Sequence, residues 1–463
     1  MPIDDVAAEA PPPAPPDVPA ETDDDERTAE DVKGAPVPGA ESGRVDGTSE
    51  GTSPLRALGQ LIMLPPRLAW LVVTTPVREL AYVNERHRIY DRMKGVWFND
   101  EGTIGLYPTL RLQSGFGATV GGRFVHRDVF GHKEKLSFYA GYGGRYREIA
   151  QGEFKTGRLF GDRFRLEATG EYEQRPRERF YGLGNNDTGP PPETLLDPTM
   201  TDIAVETRYR QRLARAALTA DLKLVGPLSV RASGALTDVT VGDGERGPGV
   251  AEVYMTDSLA GWNGERNAYG ELELRFDSRR AASRFESAAM SSAGSLLGVY
   301  GGRVHRLDPG MDFWRYGFDA QQFIMLGAGP RVLVLRAHGE AVSAPRGEVP
   351  FVELPELGRN MYLRGYPTER FRDRVAGAAS LEYQWDLLRM LTASTFVDAG
   401  RVYPSLDELS LADLRVGYGA SLSWYSTKSL RLRFSVATSI DGGLFLDLSF
   451  DPVTDLDGRV EQR

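Results

Sequence analysis

From Gly102 onward the sequence alternates with period two, and this alternation restricts the possible folds more than any other feature of the chain. Phe164, Leu166, Ala168 and Tyr172 interleave with Arg163, Arg165, Glu167 and Glu171. Leu272, Leu274 and Phe276 interleave with Glu271, Glu273 and Arg275, and Leu430, Leu432, Phe434 and Val436 with Arg431, Arg433 and Ser435. Successive strand side chains point to opposite faces, so each segment is a strand with one apolar and one charged face. A soluble sandwich would bury the apolar face against a second sheet. A membrane barrel would turn it to lipid and turn the charged face to an aqueous lumen. No apolar run approaches the length of a membrane helix, which excludes a helical bundle; a barrel needs no such run. The expected fold is all-β, a transmembrane antiparallel β-barrel over residues 102–450, preceded by short amphipathic helices and a disordered N-terminal tail.

Charge is distributed unevenly. Residues 1–53 carry fourteen acidic against three basic side chains, a net of −11, while the whole chain is −10, so the remainder is close to neutral. That leaves no basic stripe for nucleic acid, and none is expected as a partner. The tail, with PPPAPP at Pro11 to Pro16 and DDDE at Asp23 to Glu26, has too little apolar surface to offset its ordering entropy and reads as disordered. Residues 54–101 read as basic amphipathic helices. Ser53 is a cap before Pro54, while Pro65, Pro66 and Pro76 cut the stretch short, and Tyr82, Val83, Ile89, Tyr90 and Met93 share one face. This segment is expected either on the inner surface of the membrane or as a plug in or under the barrel. A charged-then-apolar leader is not apparent, and the sequence is read as a processed or mis-started form. Residues 451–463 form a C-terminal extension. With no cysteine and five scattered histidines, neither a disulfide nor a metal site is expected, and no catalytic constellation or cofactor motif stands out.

The most informative stretch runs from Gly358 to Val402. A connection of about thirty residues between Ser343 and Arg374 is longer than compact domains usually tolerate without a function. It carries Arg364, Gly365 and Tyr366, and the two segments that follow each place one carboxylate on the polar face, Glu382 in the first and Asp398 in the second. A tight turn near Met390 would set the two carboxylates roughly opposite each other. Like charges across a strand pair are destabilising, so a cation is wanted between them, and an arginine fork suits a carboxylate pair.

The LRGY of Leu363 to Tyr366, the SLE of Ser380 to Glu382 and the FVD of Phe396 to Asp398 resemble the motifs of the BamA and TamA type of outer-membrane assembly and transport barrel, the bacterial surface antigen family. The resemblance covers residues 102–450 without that family's POTRA domains. It implies a loop folded into the lumen, its Arg364 clamped by Glu382 and by Asp398 of the F-x-D that begins at Phe396. It also implies a bacterial outer-membrane location and a role in inserting outer-membrane proteins or translocating a substrate. The expected partners are outer-membrane lipids, unfolded outer-membrane proteins, and a POTRA-bearing or other periplasmic chain. The alternative is a structural or pore-forming barrel without insertase activity.

Turn signals divide 102–450 into about sixteen strands, the number the resemblance also implies. They start near Thr103, Gly117, Lys135, Glu148, Arg163, Asp202, Leu228, Asn267, Ser291, Asp312, Arg331, Arg374, Leu391, Ala412, Leu430 and Gly443. Short turns alternate with long loops, the habit of outer-membrane barrels. Pro108 interrupts the first strand in this reading, and the last strand begins at Gly442 and Gly443 and ends at Phe450. Proline cannot donate to a ladder and belongs at an edge or where pairing has ended. These four residues are the candidate lateral seam, where the resemblance implies that substrate strands are handled.

Overall fold

Sixteen antiparallel strands form one closed sheet: β1 (Ile104–Gln113), β2 (Gly117–Arg127), β3 (Lys135–Tyr142), β4 (Glu148–Lys155), β5 (Phe164–Phe180), β6 (Thr207–Lys223), β7 (Leu228–Asp243), β8 (Glu265–Asp277), β9 (Gly294–Arg306), β10 (Phe313–Met325), β11 (Arg331–Val342), β12 (Val375–Leu388), β13 (Leu391–Tyr403), β14 (Arg415–Tyr425), β15 (Leu430–Ser439) and β16 (Phe445–Ser449). This computed structural model describes residues 95–113, 117–157, 159–281, 291–327, 331–358, 362–388, 391–425 and 430–449. The tail at 1–53, the basic segment up to 94, Phe450 and the extension at 451–463 lie outside the described residues. Gly95 to Trp97 are helical, and Phe98 bridges to Gly105.

Every expected strand start falls within five residues of the observed one. The largest offset is at β6, expected near Asp202 but beginning at Thr207, because Ile203 and Ala204 are used in a parallel two-residue ladder with Asp187 and Thr188. Side chains sort as the alternation requires, inverted relative to a soluble protein. On β8, Leu272 is 64% and Leu274 53% exposed, whereas Glu271 and Glu273 are 5% and 2% exposed. The outer surface is apolar and the lumen is lined by paired acids and bases.

The larger apolar core lies at the long-loop end of the barrel. Phe180, Tyr209, Tyr254, Phe313, Phe351 and Val250 cluster there, drawn from strand ends and from the connections 181–206, 244–264 and 343–374. The Phe351 ring is edge-on to Phe180 and to Tyr209, each at 5.3 Å. These loops are therefore packed structures rather than loose tethers.

Closure occurs between β1 and β16, where Leu112 and Gln113 stand in register with Leu448 and Asp447. By contrast β1 pairs with β2 along its whole length, from Ile104 opposite His126 to Gln113 opposite Gly117. Pro108 does not interrupt β1, contrary to the sequence reading; it sits mid-strand opposite Gly122. The reason is parity. Arg127 N–H donates to Thr103 O at 2.7 Å, so in this register odd-numbered residues of β1 exchange hydrogen bonds with β2. Pro108 is even, so its donorless nitrogen is turned away from β2, toward the closing edge. Gly442 and Gly443 do not begin the last strand either. Both have positive φ, 88° and 87°, and form the turn before β16, which starts at Phe445.

A closed ladder has no edge from which to unravel. Unboiled protein in detergent should therefore migrate differently from the boiled form on a denaturing gel, and identical migration would count against closure.

Candidate functional site

The connection 343–374 turns into the lumen and meets the inward faces of β12 and β13. Arg364 is buried there and uses four of its five N–H donors. Its Nε donates to Asp398 Oδ2 and one Nη2 hydrogen to Asp398 Oδ1, both at 2.8 Å, while the backbone N–H of Arg364 reaches the same Oδ2 at 2.9 Å. Nη1 donates to Glu382 Oε2 at 2.8 Å and Nη2 to Ser380 Oγ at 3.0 Å. The guanidinium carbon lies 3.4 Å from the centre of the Phe396 ring, so the fork is held from its face as well as its edge.

Glu382 and Asp398 share a face but are not opposite each other, which corrects the expected register. Asp398 is opposite Ser380 and Glu382 is opposite Phe396, so the carboxylates are diagonal neighbours. Leu388 pairs with Leu391, and the register slips between Asp386 and Leu388; together these move the pairing two residues from a turn centred at Met390. The diagonal leaves room for Ser380 and for the Phe396 ring in the gap that the guanidinium spans.

A second cation was not anticipated from the sequence. Arg433 of β15 donates to Glu382 Oε1 at 3.1 Å, and Gln384 reaches the same oxygen at 2.9 Å. Two buried carboxylates thus face two arginines, and the set is neutral. Asp398, in contrast, makes its ion pair with Arg364.

The loop backbone is fitted as closely as the side chains. Leu363, fully buried, adopts a left-handed φ of 63°, an unfavourable conformation for a branched residue that its packing with Leu357, Phe371 and Val402 must offset. Gly365 has φ 93°, and a β-carbon there would collide with the carbonyl of Thr438. A β-carbon on Gly417 of β14 would collide with the Arg364 carbonyl, so this strand glycine is where the loop main chain rests on the wall. Tyr366 donates to Asp441 Oδ2 at 3.0 Å; burial, together with that carboxylate, pushes its phenol up to about 12, so it remains a donor at ordinary pH. On the other flank Tyr362 donates to Asp319 Oδ1 at 2.5 Å and stacks 4.0 Å from the His338 ring.

The rest of the connection is braced toward β5. Arg175 of β5 donates to Glu369 at 3.1 Å and pairs with Glu173 and Glu178, and Arg372 pairs with Glu369 and Glu356. Arg364, Gly365, Tyr366, Glu382, Phe396 and Asp398 are thus brought together. Pro108 lies apart from them on β1, Gly442 and Gly443 lie in the β15–β16 turn, and Phe450 is outside the described residues. Among the described residues no group of three His, Asp or Glu side chains could hold a metal ion.

Fold and site together define a membrane-spanning β-barrel with an arginine-anchored loop in its lumen. The Omp85 superfamily domain matches residues 128–442, and the chain belongs to that superfamily. Among solved structures it is similar to BamA from Haemophilus ducreyi lacking POTRA domains 1–3, at 16% identity over 75% of this chain and 70% of that one, with a TM-score of 0.52. CdiB from Escherichia coli matches at 11% identity over 74% of this chain and 62% of that one, TM-score 0.49. CdiB from Acinetobacter baumannii matches at 10% identity over 74% and 58%, TM-score 0.45. No protein of curated function matches the chain. Superfamily membership and the apolar outer face indicate a bacterial outer membrane.

Removing one member of a buried charge set commonly costs about 3 to 5 kcal/mol. Arg364→Ala should therefore leave a folded barrel whose 343–374 connection becomes protease-accessible. The double-mutant cycle should be asymmetric. Asp398→Asn should recover part of the lost stability in the Arg364→Ala background, whereas Glu382→Gln should not, because it strands Arg433. Equal effects, read by denaturant titration in detergent, would contradict the assigned contacts. Gly417→Ala should open the loop to protease while leaving every charge in place; an unchanged digestion pattern would show that main-chain contact there is dispensable.

Proposed function

We propose that this barrel inserts outer-membrane proteins, or passes a substrate across the membrane, by handling substrate strands at the seam between β1 and β16. In this reading the 343–374 connection, clamped by Arg364, is a brace that fixes the far wall while the seam moves. The observation that carries the reading is Pro108, whose donorless nitrogen faces the closing edge where Leu112 stands in register with Leu448 and Gln113 with Asp447. A ladder position without a donor is a weak point in strand pairing, and an edge freed there can template another strand. Gly442 and Gly443, in a turn of positive φ, would let the start of β16 swing without straining a side chain. Substrate would arrive from the periplasm, with a POTRA-bearing or other periplasmic chain as the partner that delivers it. The competing reading is a pore, with the lumen loop as its plug.

The chain contains no cysteine, so a pair introduced as Leu112→Cys and Leu448→Cys would supply its sole thiols. Oxidation should lock the seam and abolish insertion of a reporter outer-membrane protein into liposomes, and reduction should restore it, with the heat-modifiable gel shift unchanged throughout. Insertion that is indifferent to the lock would sink the seam reading. Loop-dependent ion conductance that survives the lock, with no insertion in either state, would favour the pore.

A further inference from the structure

Arginines on the outer rim are, for the most part, each matched to a carboxylate. Arg266 of β8 is gripped by Asp308, with Nη2 at 2.6 Å from Oδ1, and Arg303 and His305 of β9 both reach Asp312, at 3.0 and 2.9 Å. The long-loop ends of β5 and β6 break this pattern. On β6 the outward column runs Leu222, Ala220, Leu218, Ala216, Ala214 and then Arg212, Arg210, Arg208. The change from apolar to basic is abrupt. On β5 an extra residue is inserted between Arg175 and Glu178, next to Pro176, and this bulge reverses the facing of everything beyond it. Arg175 faces the lumen and its acids; past the bulge Glu178 and Phe180 are the buried residues, so Arg177 and Arg179 turn outward.

Five arginines are thereby placed on the outer face of two adjacent strands. Arg179 stands directly opposite Arg208, a like-charge pair whose common relief is Glu206, 3.6 Å from the first and 2.5 Å from the second. Arg210 and Arg212 are exposed and make no ion pair among the described residues; the glycine at 242 gives the Arg210 fork its space. Arg177 lies 5.2 Å over the Tyr146 ring, and its Nε is shielded without a hydrogen-bond partner. The other carboxylates on this face are Glu148, two strands from Arg212 in the same cross-strand row, and Asp238, diagonal to it. A positive surplus remains. The same row holds Tyr142, and Tyr172 lies one row below; both are exposed, as interfacial aromatics are.

We propose that this cluster is a binding site for a phosphate-bearing lipid headgroup of the outer leaflet. Three features select that occupant. The arginines begin immediately beyond the last apolar outward side chain, the height at which headgroups meet the acyl layer. They lie at the end of the barrel that carries the long loops, which in such barrels is the outer side. Their forks are spread over two strands, which suits several phosphate oxygens rather than one carboxylate. This site is independent of the seam and of Arg364.

The full chain in a zwitterionic detergent would be titrated with diphosphoryl lipid A, with phosphatidylcholine and with inorganic phosphate, and retention read by native mass spectrometry. Diphosphoryl lipid A should be retained well above phosphatidylcholine, and millimolar inorganic phosphate should not displace it. Arg210→Ser with Arg212→Ser should weaken retention roughly thirtyfold, at about one contact energy per basic residue near an anionic surface. Arg210→Lys with Arg212→Lys should keep most of it, which separates charge from fold, and the heat-modifiable shift would report whether each variant is intact. Equal retention of the two lipids, displacement by inorganic phosphate, or an intact serine variant that binds like the parent would each overturn the proposal.

Discussion

Everything in this molecule depends on the rule that a backbone N–H or C=O facing hydrocarbon must find its partner within the protein. A sheet can satisfy that rule only by closing, and closing it divides space in two. The alternation read from the sequence then has a single consistent solution, with leucine and phenylalanine outside and glutamate and arginine inside. The charged interior is affordable because acids and bases are laid down in neighbouring rows: Glu173 lies beside Arg147 and Arg175, Arg306 beside Glu265, and Glu382 beside Arg364 and Arg433. The lumen loop obeys the same accounting, with the main-chain N–H of Arg364 given to Asp398.

Strand positions were legible because period two is a strong signal and short turns punctuate it. Parity along β12 and β13 also suffices to put Glu382 and Asp398 on one face. What parity cannot supply is a slip of register. The turn that pairs Leu388 with Leu391 and the irregularity between Asp386 and Leu388 together make the carboxylates diagonal rather than opposed, and nothing in those residue types announces either. Arg433 was invisible for another reason: it lies fifty-one positions from Glu382, and only the curvature of a closed wall brings β15 across to β12. Pro108 does not break β1, although proline lacks a donor. A strand residue presents its N–H to one side only, and at Pro108 that side is the closing edge, so the β1–β2 ladder runs through it intact.

The seam and the clamp stand on different elements and place different demands on the chain. The clamp is buried and neutral, and it ties β12, β13 and β15 to the loop main chain. The closing edge has a donorless position at Pro108 and, before β16, a turn with two glycines of positive φ.

The bulge beside Pro176 carries a consequence for how the chain can change over time. Upstream of it, odd-numbered residues of β5 face the lumen; beyond it, even-numbered residues do, so Arg175 and Arg177 lie in opposite environments although two positions apart. Straightening the ladder without removing a residue would carry Arg177 and Arg179 inward while sending Glu178 and Phe180 out to lipid, whereas deleting one residue at the bulge would restore a regular ladder and leave Glu178 opposite Tyr209 and Arg179 opposite Arg208. A single-residue change in this strand is therefore tolerable at the bulge, where one surplus residue is already accommodated, while elsewhere between Phe164 and Phe180 it would exchange inner and outer surfaces unless a new bulge absorbed it.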